Sequence, residues 1–328
     1  MRQVDENPYK LGNSVTINTV SEFAEIVSNV NDHLRRNGAE YNEVLLFRGQ
    51  SNKDYQLLPG IGRDRMFNVD ISILNEERNL IEMAKYKMPD IFKNDMTPVE
   101  LLALLQHYGI PTRLLDITEN ALVALFFACE GDSEKDGEVI LFVNNEMDVT
   151  NYPVINAIAD SYRFARFNFL YLSEFYEEVI KQPYFVEQMN TLNSLYKTNE
   201  EGGRWIEKCC HKPFFIYSPV RILRQLLQQG RYILFHNTIK TQEPREGLEG
   251  SREIKYFDLE IDPINKDDPC IAGRIIIPAD KKNIIRKQLR LFGISKETLF
   301  ADSTDKVCES ISENFKNKIK NKGIGNSF

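Results

Sequence analysis

The stretch Leu104–Cys129, LLQHYGIPTRLLDITENALVALFFAC, constrains this chain more than any other. An apolar helical run reaches Gln106-His107-Tyr108, and Gly109 and Pro111 then break it. Thr112, Arg113, Asp116, Thr118 and Asn120 follow, interleaved with leucines, before Ala121–Ala128 resumes a helical pattern. A packed core asks for no such concentration of polar groups, so the segment is expected to be either a buried hydrogen-bond network or a ligand cradle. A shorter companion stands upstream, where the apolar strand Val44–Phe47 ends on Arg48-Gly49-Gln50. Such a strand end delivers a guanidinium to a cleft edge, and the glycine lets a ligand approach the backbone.

Bulk properties narrow the function classes. A chain of 328 residues with 42% hydrophobic content can bury a sizeable core. The net charge of −7 disfavours a uniformly basic nucleic-acid surface but leaves room for a local basic cleft. No apolar run approaches a membrane span and the opening MRQVDENPYKLGN lacks an apolar signal segment, so the chain reads as cytoplasmic, with no membrane partner. Cys129, Cys209, Cys210, Cys270 and Cys308 are scattered without paired spacing, and no two of the four histidines stand at ligand spacing. Neither a disulfide framework nor a metal is expected. There is no G-x-G-x-x-G or G-K-[ST]; Gly60-Ile61-Gly62 lacks the third glycine, which disfavours a dehydrogenase or a nucleotide triphosphatase.

Periodicity places the remaining elements. Val15–Ile17 reads as a strand, and Ser21 caps a helix with Phe23, Ile26, Val27, Val30 and Leu34 on one face. A second helix runs from Ile71 to Phe92, with Glu76, Glu77 and Glu82 on its polar, solvated side. Thr97-Pro98-Val99-Glu100 has the form of a capping box and opens a helix that delivers His107 and Tyr108 to the central loop. Strands are predicted near Val44, Val139, Ile233, Tyr256 and Ile275, and a last amphipathic helix over Asp305–Lys320. Between residues 150 and 210 aromatics recur at helical spacing, among them Tyr162, Phe164, Phe167, Phe169, Phe175 and Tyr176. With Arg163, Arg166 and Lys181 interleaved they would suit base stacking, but the spacing favours a buried helical core.

The two polar segments resemble the FRG domain family, named for a Phe-Arg-Gly motif that stands here as Phe47-Arg48-Gly49-Gln50-Ser51. The family's second signature stands as Gln106–Asp116 followed by Asn120–Ala128, and weaker similarity continues through Gln228-Gln229-Gly230 to Phe300. The arrangement also resembles that of ADP-ribosyltransferases. Those enzymes carry an Arg or His on a first strand, a hydroxyl-bearing second strand followed by an Ala-x-x-Phe helix, and a Glu or Gln loop before a later strand. Arg48 would fill the first role, Thr112–Thr118 with Ala124–Phe127 the second, and Gln228 or Gln229 the third. No Glu-x-Glu or Gln-x-Glu precedes that later strand here.

The resemblance implies an α+β fold, a single large domain with a split or bent mixed sheet of the ADP-ribosyltransferase kind. Residues 40–310 would form it, with the helical insertion 150–210, flanked by a strand and helix in 1–39 and a tail in 311–328. NAD would enter as substrate, across the split sheet. His107, Tyr108, Asp116, Gln228 and Gln229 are the catalytic candidates, and Arg48, Gly49, Gln50, Thr112, Arg113, Thr118 and Asn120 the NAD-binding ones. Arg48 either grips a phosphate or pins a loop through Asp116 or Asp54, and Arg113 either joins the cradle or pairs locally with Asp116. The expected function is ADP-ribosyl transfer to a protein or nucleic-acid acceptor, or NAD hydrolysis, in a bacterial toxin or phage-defence effector. The alternative is a catalytically inactive module that binds a nucleotide or nucleic acid, which the missing glutamate favours.

Overall fold

The computed structural model describes residues 14–36, 44–63, 73–144, 153–164, 169–186, 198–217, 222–243 and 253–301. The first half of the chain runs β1 (Val15–Thr16), α1 (Val20–Arg36), β2 (Val44–Gln50), α2 (Glu77–Lys87), α3 (Pro98–His107), β3 (Leu114–Thr118), α4 (Ala121–Cys129) and β4 (Gly137–Asn144). It continues with α5 (Pro153–Ala159), β5 (Phe169–Tyr171), α6 (Leu172–Val179), α7 (Asn199–Cys209), β6 (Phe214–Tyr217), α8 (Leu223–Gln228) and β7 (Gly230–Leu234). β8 (Ile239–Gln242), β9 (Ile254–Asp258), β10 (Ile271–Ile277), α9 (Lys282–Leu291) and α10 (Lys296–Leu299) complete it.

Seven strands form the main sheet in the order β1-β10-β4-β2-β3-β7-β6, mixed because β1 and β10 are parallel and the other pairs antiparallel. β5, β9 and β8 form a second, antiparallel sheet. The fold is α+β. β4 is buried along its whole length, as its run of branched residues requires of a central strand. Its side chains alternate: Val139, Leu141 and Val143 join α1, α4 and α9, whereas Ile140 and Phe142 join Leu46, Leu57 and Ile61 on the opposite face. The expected parting of the sheet falls between β2 and β3, which share the single register pair Phe47↔Thr118, against seven pairs for β2 with β4. Leu114, on the same face as Thr118, belongs to a different core from Phe47, built with α2, α3, α5, α6 and α7. The α4 face of the sheet is thus two cores with a gap between them.

α4 packs with almost no clearance. Asn120 caps it, its Oδ1 accepting from the N–H groups of Leu122 (3.0 Å) and Val123 (3.3 Å). A Cβ on Gly49 would lie 1.8 Å from the Ala124 carbonyl oxygen, and one on Gly137 2.1 Å from that of Ala128. The glycine of the Arg-Gly-Gln strand end therefore admits a helix, and its backbone also borders the cavity described below.

Several expectations are corrected. The polar segment that follows Pro111 is strand β3 from Leu114 on, with Leu115 and Ile117 buried on one side and Leu114 on the other. β2 continues through Gln50. β9, with Tyr256, lies in the second sheet, and the region 150–210 contains strand β5 as well as helices. Its aromatics Tyr162, Phe164, Phe175 and Tyr176 are core, whereas Phe169 is exposed. Thr19 rather than Ser21 caps α1, accepting from the N–H of Glu22 at 3.2 Å. Glu77, expected on a solvated face, is 2% exposed. Arg166, Phe167, Cys308 and the predicted helix 305–320 lie outside the described residues. No described helix is long and apolar enough to cross a membrane.

Two stability predictions follow from this packing. Gly49→Ala forces a methyl against helix backbone and should cost roughly 1–3 kcal/mol or more. Gly60→Ala, whose methyl would meet nothing closer than 3.4 Å, should leave the urea midpoint nearly unchanged. Burial pushes the Asp160 carboxyl up to about 6, opposed by Arg163 and the Tyr184 hydroxyl. A raised carboxyl stabilises the fold at low pH, and that contribution fades as pH rises through about 6. Asp160→Asn should therefore gain on the wild type between pH 5 and pH 8, by about 1 kcal/mol, in melting curves at the two pH values.

Candidate functional site

Where β2 and β3 part, a cavity of ≈ 250 Å³ opens on the α4 face, walled by residues from β2, α3, β3, α4, α8 and β7. Arg48 stands at the junction. Its Nη1 reaches across the gap to donate to the Asp116 backbone carbonyl at 2.5 Å, and its Nε faces the Gln50 side-chain oxygen at 3.4 Å. Nη2 has no protein hydrogen-bond partner among the described residues. Burial lowers the guanidinium pKa to about 10, partly offset by Asp116 and reinforced by the nearby Arg63 charge, so Arg48 remains a cation at neutral pH.

Asp116 faces the same cavity from β3, beside its register partner Tyr232 on β7. A relay of side chains aims it. The Thr112 hydroxyl donates to Gln106 Oε1 at 2.8 Å, and Gln106 Nε2 donates to Asp116 Oδ2 at 3.0 Å and to the Leu114 carbonyl at 3.3 Å. Oδ1 has no hydrogen-bond partner among the described residues. One carboxylate oxygen is thus fixed while the other is available. His107, one residue on from Gln106 at the end of α3, lines the cavity as well.

The opposite wall comes from α8, whose Arg224, Gln225 and Gln228 share one helical face toward the cavity. Arg224 lies over the Phe300 ring at 4.6 Å, and Gln225 donates to the Tyr232 hydroxyl. The Thr118 hydroxyl ties the walls together: it donates to the Gln228 carbonyl at 2.6 Å and accepts from the Asn120 N–H at 2.9 Å. Phe47, Val123 and Phe127 supply an apolar side. The lining offers two arginines and one carboxylate, a surface suited to an anionic ligand.

Of the residues expected here, Arg48, Gly49, His107, Asp116, Thr118 and Gln228 do line the cavity. Thr112 is buried and acts through Gln106. Asn120 caps α4. Tyr108 is half exposed and turns its ring edge-on to Phe92 and His107. Gln229 sits in the left-handed region (φ 45°), exposed, with its carbonyl accepting from the Glu119 N–H. Gln50 is buried and donates to the Tyr55 carbonyl at 3.2 Å. Gln106 stood inside the quoted motif without being assigned a role; Arg224, Gln225 and Tyr232 carried no local signal, since only register and helix phase bring them in.

Arg113 lies elsewhere. It is 2% exposed and pairs with Glu77, Nη2 to Oε2 at 2.5 Å and Nε to Oε1 at 2.7 Å, while Nη1 donates to Asn237 Oδ1 at 2.5 Å. Neither reading of the sequence, cradle or local pairing with Asp116, describes it. Among the described residues no cluster of three His, Cys, Asp or Glu side chains is placed to hold a metal.

Breaking this buried pair from one side strands a charge. Arg113→Ala or Glu77→Ala should each cost about 3–5 kcal/mol, whereas an Arg113→Met/Glu77→Leu double variant should recover most of that loss. Urea unfolding of the four proteins measures the difference.

Comparison with curated proteins and with solved structures gives no significant match. Residues 43–137 match the family model of the FRG domain, a span from β2 to the first residue of β4 that ends before the α8 and β7 wall. The two motifs that flank the parting of the sheet, Phe47-Arg48-Gly49 and Gln106–Asp116, fall inside that span, and this chain carries an FRG domain.

Proposed function

We propose that the cleft binds NAD as a substrate and cleaves its nicotinamide–ribose bond, passing ADP-ribose to water or to a macromolecular acceptor. The observation that carries this is the pairing across one gap of an arginine with an unpartnered Nη2 and an aspartate with one oxygen held and one available. Arg48 suits the pyrophosphate, since a guanidinium offers parallel donors to two oxygens. Asp116 suits the ribose. As the C1′–N bond breaks, the electron pair leaves with nicotinamide and positive charge develops at C1′, which a fixed carboxylate stabilises. The nucleophile then bonds to C1′, and His107, which lines the same cavity, would take the proton it gives up. Phe127 and Phe47 offer the apolar flank that a nicotinamide ring needs.

The likeness to ADP-ribosyltransferases supports the same reading: a strand bearing Arg48, a parted sheet, and β3 leading into α4. Such an activity would act in the cytoplasm, and unregulated NAD consumption would fit a toxin or phage-defence effector. A second reading, a nucleotide- or nucleic-acid-binding module without turnover, draws on one observation: among the described residues no glutamate lines this cavity.

Incubation of the purified protein with NAD, with free nicotinamide as readout, separates the two. Asp116→Asn should lower turnover by a hundredfold or more, about 2.7 kcal/mol in the barrier, with NAD affinity retained. Arg48→Ala removes a charged hydrogen bond of about 1.5–3 kcal/mol and should weaken NAD tenfold to a hundredfold in calorimetry. Tight NAD binding with no nicotinamide released from the wild type would select the binding module.

A further inference from the structure

Arg48 borders not one chamber but two. A second cavity of ≈ 700 Å³ meets the first along Arg48, Gly49 and Phe127 and continues under the loop that follows β2. Arg63 lines it. The Nε of Arg63 is fixed by the Leu58 carbonyl at 2.8 Å, and neither terminal nitrogen has a protein partner among the described residues. Arg63 shares this lining with Arg48, whose pKa the Arg63 charge lowers further. Like charges held together beside a cavity are relieved by an anion bound between them. Two carboxylates also face this chamber. Glu130 is paired with Arg286 at 3.0 Å, and Asp54 is exposed.

The larger chamber has the character of a nucleoside pocket. The Tyr55 ring on its wall is 48% exposed and is held in place through its hydroxyl by Asp132. An aromatic face so fixed is a stacking surface for a base. The Gln56 and Asp54 side chains add donors and acceptors, and Leu58 an apolar side. The volumes differ in the useful direction: the smaller chamber beside Asp116 has room for one ring, the larger for a base with its ribose.

We infer that the crevice is a two-chamber site for a nucleoside diphosphate ester, with Arg48 and Arg63 clamping the diphosphate where the chambers meet and Tyr55 stacking the base in the larger one. This deepens the reading of the cleft as an NAD site and rests on it for the contents of the smaller chamber only. Discrimination between a diphosphate and a monophosphate then belongs to Arg63, a residue outside both motifs.

ADP and AMP, which carry no nicotinamide, test it by calorimetry on the full chain. The wild type should bind ADP at least tenfold more tightly than AMP. Arg63→Ala should erase that preference, and Arg63→Lys, which keeps the charge but not the fork, should restore only part of it; melting curves on both confirm the fold. Tyr55→Ala should weaken ADP severalfold and leave inorganic pyrophosphate unaffected. Equal affinity of the wild type for ADP and AMP, or an ADP affinity indifferent to Arg63→Ala and Arg63→Lys, would overturn the inference even if NAD is cleaved. Arg63-dependent ADP binding in a protein that releases no nicotinamide would uphold it and remove the proposed turnover instead.

Discussion

The close seating of α4 on β2 and β4 governs the geometry around it. Ala124 and Ala128 present their backbone to Gly49 and Gly137, and neither glycine position has room for a single further carbon. β3 leads directly into α4 through Thr118, Glu119 and Asn120, and it meets β2 only at Phe47↔Thr118. The gap between the two strands is where Arg48 crosses to the Asp116 carbonyl. The helix seating is one constraint, expressed by glycine on one side and alanine on the other.

A second layer of polar contacts holds the cleft open in a defined shape. Thr118 joins the start of α4 to the end of α8, Gln228 reaches on to the Leu299 carbonyl at 3.1 Å, and Thr112 and Gln106 hold Asp116. These groups spend their hydrogen bonds on the protein. Among the described residues, Arg48 Nη2, Asp116 Oδ1 and the Arg224 guanidinium have no hydrogen-bond partner on the wall, nor do the terminal nitrogens of Arg63 in the neighbouring chamber. Function is read more safely from such leftovers than from the polar residues as a class, because a buried polar group with its partners in place is already accounted for.

The buried Arg113 cluster makes the same distinction from the other side. Three donors of one guanidinium meet Glu77 and Asn237 in the interior, joining α2, the start of β3 and the segment before β8. Charge burial of this kind is tolerated only with full pairing, and it fixes the position of β3 relative to the helical core rather than adding much stability. Arg48 and Arg113 stand in the two motifs with equal prominence, yet one is a wall of the cleft and the other a rivet.

By itself the sequence determined the elements whose signals are local: the capping box at Thr97–Glu100, the strand at Glu138–Val143, the helix after Asn120, and the two polar segments that mark an FRG domain. It also brought out Arg48, His107 and Asp116 as cleft candidates, through the two motifs in which they stand. Tertiary structure decided which polar groups were left for a ligand. Arg113 was claimed by Glu77, 36 residues earlier, and by Asn237, 124 residues later; Tyr232 and Arg224 entered the cleft through strand register and helix phase. The physical reason is that periodicity is set by residues three or four apart, whereas the fate of a buried charge is set by whichever partner the packing of distant elements brings within about 3 Å.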